Sequence, residues 1–133
     1  EGTTDPTYSW NSCRVPWRFG TDYVVAGNQQ LQGQLQKLNA FIKQASGGNP
    51  ANVTTGYYLD GTPNGSGTDL AFTAPLLVSN MMPKADGTFD QAWLNALWDH
   101  VKNNSMTDNT DCYGNTIKLQ CMIIASGNAW LPY

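Results

Sequence analysis

Apolar residues recur along this chain in five stretches at helical spacing, and the stretches alternate in how completely apolar they are. The first continues from Trp17 through Phe19, Tyr23, Val24 and Val25 and stops at Gly27; an Asn11-Ser12 pair supplies a cap, and Pro16 falls in the first turn, where a missing N–H breaks no intrahelical bond. Its apolar residues occur all round, so burial on most sides is expected. The second, Asn28 to Ala45, places Leu31, Leu35, Leu38, Phe41 and Ile42 on one face with Gln and Lys opposite, and Gly47-Gly48 stops it, which reads as an outer, half-exposed helix. Residues 46–69 carry two Pro amid Gly, Asn, Thr and Ser and predict a long loop with a short hairpin at Tyr57-Tyr58-Leu59. From Asp69 a mostly apolar helix runs through Leu70, Phe72, Leu76, Leu77 and Val78 to Met82, with Pro75 as an early-turn residue or kink. Thr88 then caps an amphipathic helix carrying Phe89, Trp93, Leu94, Leu97, Trp98 and Val101, and Tyr113 to Ala125 gives an apolar closing helix before Gly127.

Buried inner helices alternating with amphipathic outer ones predict an all-α fold of the α/α toroid type, although a five-helix bundle gives a similar pattern. At 133 residues the chain has room for a single domain, residues 1–133. Charged residues make up 13% of it, about half the usual share of roughly 25%, so the surface is mainly neutral and polar. A net charge of -3 with only seven Lys and Arg provides no basic stripe and argues against a nucleic-acid binder. No apolar run reaches the roughly 18 residues that span a bilayer, and no signal-peptide pattern opens the chain, so Glu1 reads as a processed or excised start.

Three cysteines divide into a spaced pair and a single. Cys112 and Cys121 flank a short Tyr-Gly-Asn segment at a separation compatible with a loop-closing disulfide in a secreted protein, leaving Cys13 either a small buried hydrophobe or the partner of a thiol elsewhere. Without a CxxC pair and with one His, on the exposed side of its helix, neither a zinc site nor another metal is expected. Asn52, Asn64 and Asn103 each begin an N-glycosylation sequon in a turn-rich stretch, in keeping with an exported protein.

Chemistry concentrates in Tyr8-Ser9-Trp10-Asn11-Ser12-Cys13-Arg14-Val15-Pro16-Trp17-Arg18, followed by Thr21-Asp22-Tyr23. This segment resembles the signature of glycoside hydrolase family 8, inverting enzymes acting on β-1,4-linked and mixed-linkage polysaccharides. Ala71-Phe72-Thr73-Ala74-Pro75-Leu76 and Met122-Ile123-Ile124-Ala125-Ser126-Gly127-Asn128-Ala129-Trp130 resemble the last inner helices of that family, in the same order. The resemblance implies the C-terminal part of an (α/α)6 barrel, about five of its twelve helices. The proton-donating Glu would then lie in an N-terminal part with no counterpart here, and activity by this chain alone is not expected. The implied partners are a polysaccharide such as cellulose, β-glucan, chitosan or xylan, and either the N-terminal half or a second copy; no cofactor is implied. A non-catalytic carbohydrate-binding or self-assembling half-toroid is the competing reading.

Inverting hydrolysis requires a carboxylic acid on one side of the scissile bond and a water-activating carboxylate on the other, about 6.5 to 9.5 Å apart. The usual base of the family maps onto Asn11, whose amide accepts no proton from water near neutral pH. As in the family members that carry Asn there, the base must be another acid, and Asp5 is the candidate, with Asn11 left to orient the water. Arg14 beside Asn11 can hold a carboxylate or sugar hydroxyl in fixed geometry, whereas Arg18 suits a structural pairing with Asp22 or helix carbonyls. Tyr8, Trp10, Tyr57 and Tyr58, at loops and helix mouths, are candidates to stack on sugar rings; Trp93 and Trp98 sit at core spacing.

Overall fold

The computed structural model describes residues 7–105 and 112–130. The chain order is a two-residue strand β1 (Thr7–Tyr8), helices α1 (Val15–Ala26) and α2 (Gln32–Ala45), a 3-10 turn at Pro50–Asn52, strand β2 (Tyr57–Tyr58), and helices α3 (Leu70–Ser79), α4 (Gln91–Asn103) and α5 (Cys112–Ala125). The fold is all-helical, a partial helical toroid.

Helix α3 is its centre. All ten of its residues are buried, as an all-round apolar sequence requires, and it packs against α1 on one side and α5 on the other. Asp69 caps it, accepting the Ala71 N–H at 2.7 Å. Pro75 stands in the interior of the helix, not in its first turn, so it has no N–H to give the Ala71 carbonyl. Ser79 resolves its polarity through Asn39 of α2: its hydroxyl donates to Asn39 Oδ1 at 2.6 Å while Asn39 Nδ2 donates to the Ser79 carbonyl at 3.0 Å. Gly20 lets α1 approach closely, because a Cβ there would lie 3.0 Å from the Cα and N of Ser79.

Helices α2 and α4 form the outer layer, burying Leu35 and Ile42, and Trp93, Leu97 and Val101, on their apolar faces. The last turn of α2 is tied to the start of α4 by Lys43 and Asp90, whose ion pair spans 2.5 Å. Thr88 is not the α4 cap: Asp90 accepts the Trp93 N–H, while Thr88 is held in a turn by Asp86 and Phe89 is left exposed. Likewise Asn11-Ser12 does not cap α1. The N-cap position is Arg14, and the Ser12 hydroxyl is instead bonded to the Ser9 N–H at 2.8 Å. The Asp86 carboxylate accepts from the Thr88 N–H at 2.9 Å and from the Thr88 hydroxyl at 2.6 Å, the local bonding by which Asp closes a turn in competition with helix capping.

Burial of α1 differs from expectation. Only Pro16 and Gly20 are fully buried, and Val15 and Phe19 are exposed; in α5, Leu119 and Ile123 are exposed as well. Among the described residues both helices pack mainly on α3, which leaves these side chains uncovered. The loop hairpin also has a second partner: Tyr58 N–H donates to the Thr62 carbonyl at 2.8 Å, but the ladder pairs Thr7 with Tyr58 and Tyr8 with Tyr57, antiparallel.

Cys112 and Cys121 are free thiols on one helix, which overturns the expected disulfide. Nine residues at a rise of about 1.5 Å each separate them by about 13 Å along the axis, beyond the roughly 4.4–6.8 Å that a disulfide spans. Cys13 and Cys121 are buried and Cys112 is exposed. No helix among the described residues is long and apolar enough to cross a membrane.

Candidate active site

The signature segment forms a tight turn between β1 and α1, held by Cys13 N–H and Ser12 N–H on the Ser9 carbonyl at 2.8 and 2.9 Å. This turn sits over the N-terminal half of α3. Phe72 is fully buried and serves as the floor, with the Tyr8 ring edge-on to it at 5.8 Å and the Trp10 ring edge-on at 4.9 Å. The turn thereby divides its side chains: Tyr8 and Cys13 point in, whereas Trp10, Asn11 and Arg14 face solvent.

Tyr8 is only 8% exposed, its hydroxyl donates to the Cys13 carbonyl at 3.5 Å, and burial holds its phenol far above the ordinary range. Tyr57 is buried beside Phe41, and its hydroxyl accepts the Thr54 N–H at 3.0 Å. Neither ring offers a face to a ligand, which corrects their assignment as stacking residues. Trp10 and Tyr58, 46% and 48% exposed, remain available. Strand alternation explains the Tyr57 and Tyr58 split, since adjacent residues point to opposite faces. Trp93 is in the core and Trp98 packs against it. His100 is half-buried rather than solvated, and desolvation lowers its pKa.

One aromatic that the sequence reading left as a mere helix start belongs here. Tyr113, in the first turn of α5, lies 6.1 Å from Trp10 ring to ring at 50°, and its hydroxyl is 3.7 Å from Cys13 Sγ. Its position at a helix mouth, like that of Trp10, is the sequence signal by which it can be found. Asp69 is a second omission. Its negative charge acts on both Cys13 and Tyr113, opposing the effect of the Arg14 guanidinium, although burial is the main cause that raises both pKa values. Asp69 also caps α3, so its carboxylate is anchored in the wall.

Among the described residues the ion pairs are Lys43–Asp90 and Lys84–Asp86, so Arg14 is not tied to a described carboxylate. Arg18 is not paired with Asp22 either: it lies over the Trp17 ring at 4.3 Å, and Asp22 accepts from Asn28 Nδ2. Asp5 lies outside the described residues. Asn52, Asn64 and Asn103 are exposed, with the Asn52 amide donating to the Ser46 carbonyl at 3.2 Å. A cavity of about 850 Å³ opens elsewhere, between α2 and the segment after α3. Asn39, Lys43, Lys84, Asp86 and Asp90 in its lining are engaged in the Asn39–Ser79, Lys43–Asp90 and Lys84–Asp86 contacts, and no sequence-predicted site residue lines it.

The rim therefore presents two aromatic rings, an amide and a guanidinium unpaired with any described carboxylate, groups that can pack on and hydrogen-bond a hydroxyl-rich ligand. The chain is similar to bacterial glucanases. It is 43% identical over 130 residues to a beta-glucanase of Niallia circulans, covering 98% of this chain and 30% of that protein. An endoglucanase of Bacillus sp. (strain KSM-330) is 30% identical over 126 residues, 95% of this chain and 26% of that one. The apo structure of the beta-1,3-1,4-glucanase from Paenibacillus sp. X4 superimposes with a TM-score of 0.86 at 42% identity, covering 99% of this chain and 33% of that one. The chain thus spans about a third or less of the length of these relatives, and no family model matches it.

Proposed function

We propose that this chain supplies the water-side wall of an inverting, family 8 type glycoside hydrolase acting on a mixed-linkage or β-1,4-linked glucan outside the cell, with the proton-donating acid in a preceding N-terminal part. The observation that carries the reading is the exposed Arg14 guanidinium, unpaired with any described carboxylate, in the same turn as Asn11 and as Trp10, whose ring meets Tyr113, in a segment similar to glucanases. In this mechanism the rings pack against pyranose C–H faces. Arg14 holds a sugar hydroxyl or the base, Asn11 orients the attacking water through its carbonyl oxygen, and Asp5 takes the proton. Asn11 is not the base, because an amide gains no proton at neutral pH.

The test joins this chain to a polypeptide carrying the N-terminal part of a glucanase relative and measures reducing sugar released from mixed-linkage β-glucan, with the product anomer read by NMR. The expected result is an inert chain alone, activity when joined, and inverted product. Arg14→Ala is expected to lower turnover about 100-fold or more, the loss typical of one preorganised electrostatic contact, and Asp5→Ala to abolish it with folding intact. Turnover near the parent level in Asp5→Ala would remove Asp5 from the mechanism. A second reading, carbohydrate binding without hydrolysis, is favoured by the same exposed rings; retention on insoluble glucan with no product from the joined protein would select it.

A further inference from the structure

The two rings of the platform come from opposite ends of the chain, and one buried atom touches the supports of both. Cys13 Sγ donates to the Trp10 carbonyl at 3.4 Å and lies 3.7 Å from the Tyr113 hydroxyl. We propose that Cys13 is a positioning residue whose thiol clamps Trp10 and Tyr113 into one sugar-facing surface, an inference that rests on the carbohydrate reading above for its ligand.

The proton inventory assigns the roles. A thiol has one hydrogen, and it is committed to the Trp10 carbonyl, so the Tyr113 O–H donates to sulfur. The phenol oxygen then keeps its lone pairs for a ligand, which makes Tyr113 an acceptor for a sugar hydroxyl. Cys13 itself is fully buried, with its backbone N–H on the Ser9 carbonyl and its carbonyl accepting from Tyr8. It therefore cannot drift, and both rings are referenced to the same fixed point. Desolvation keeps the thiol protonated through neutral pH, as a donor must be.

Cys121 provides an internal control, since it is equally buried but lies in the core without a contact to either ring. The full chain is compared as parent, Cys13→Ala, Cys13→Ser and Cys121→Ala, reading the thermal midpoint, the NMR cross-peaks between the Trp10 and Tyr113 rings, and the affinity for a mixed-linkage β-glucan tetrasaccharide. Both alanine variants are expected to lose stability, but only Cys13→Ala should lose the inter-ring cross-peaks and bind the tetrasaccharide about tenfold more weakly, about one hydrogen bond's worth. Cys13→Ser, which restores a donor and acceptor, should recover both. Intact cross-peaks and parental affinity in Cys13→Ala, or a serine variant no better than alanine, would overturn the clamp. Should the parent fail to bind the tetrasaccharide, the carbohydrate reading falls while the cross-peaks still decide the positioning role.

Discussion

Gly20 shows how a single missing side chain sets the spacing of the inner row. The backbone of Ser79 occupies the space in which a Cβ would sit, at 3.0 Å, and a backbone cannot rotate aside as a side chain does. Gly20→Ala is therefore expected to destabilise the chain by about 1–3 kcal/mol through overpacking, measured as a shift in the urea midpoint with an unchanged slope. At the same scale, the exposure of Arg14 and Asn11 agrees with their place in a turn before a helix, which is legible from neighbouring residues. The burial of Tyr8 and Tyr57 was not legible, because an aromatic side chain at a loop reads the same in sequence whether its ring turns inward or outward. Phe72 decided the matter for Tyr8 by offering a ring edge to pack on.

Helices α1 and α5 show the same limit for whole elements. Their composition is that of buried helices, and the periodicity placed them within a residue or two of their observed bounds. Yet each packs mainly on α3 and leaves apolar side chains bare, Phe19 on one and Leu119 and Ile123 on the other. Exposed apolar faces of this kind mark interfaces. Replacing Leu119 with Gln and Ile123 with Thr together should change the stability of the chain alone by no more than about 0.5 kcal/mol per site, as for ordinary surface positions. The same double variant should impair assembly and turnover when the chain is joined to the N-terminal part of a glucanase relative. If sedimentation instead shows concentration-dependent mass that the variant abolishes, a second copy covers the face.

For the molecule as a whole, stability should be bounded on both sides of neutral pH. Lys43 holds the Asp90 carboxyl below its ordinary pKa, and Asp86, through Thr88 and Lys84, titrates at about 2. Lowered carboxyl values mean that their stabilisation is fully present above about pH 4, the unfolded value, and is lost as pH falls through the folded ones. Both groups are accessible, so the Asp90 contribution is screened to below about 1 kcal/mol. At the alkaline end the sign reverses. Burial raises the pKa values of Cys13, Cys121 and Tyr8, so the stability associated with their protonated forms is intact below about pH 8.5 and declines above it. Urea midpoints from pH 2 to 11 should trace a plateau between these limits; Asp90→Asn should flatten the acid limb, and a flat alkaline limb would contradict the buried, protonated state of these groups.

The sequence by itself determined the helical class and the alternation of inner and outer helices, and it proposed where the candidate site segment lies, because each follows from periodicity or from neighbouring residues. It also marked Asp69 as a helix start, which its cap on α3 realises. Only the tertiary structure decided what depends on contacts across the chain. It set Cys112 and Cys121 apart on one helix and brought Cys13 beside Tyr113, 100 residues away. It also turned two of the four expected stacking residues into core. These outcomes share one physical reason: spacing along a sequence fixes which residues share a helix face, but which face meets which is settled by the packing of α1 and α5 around α3.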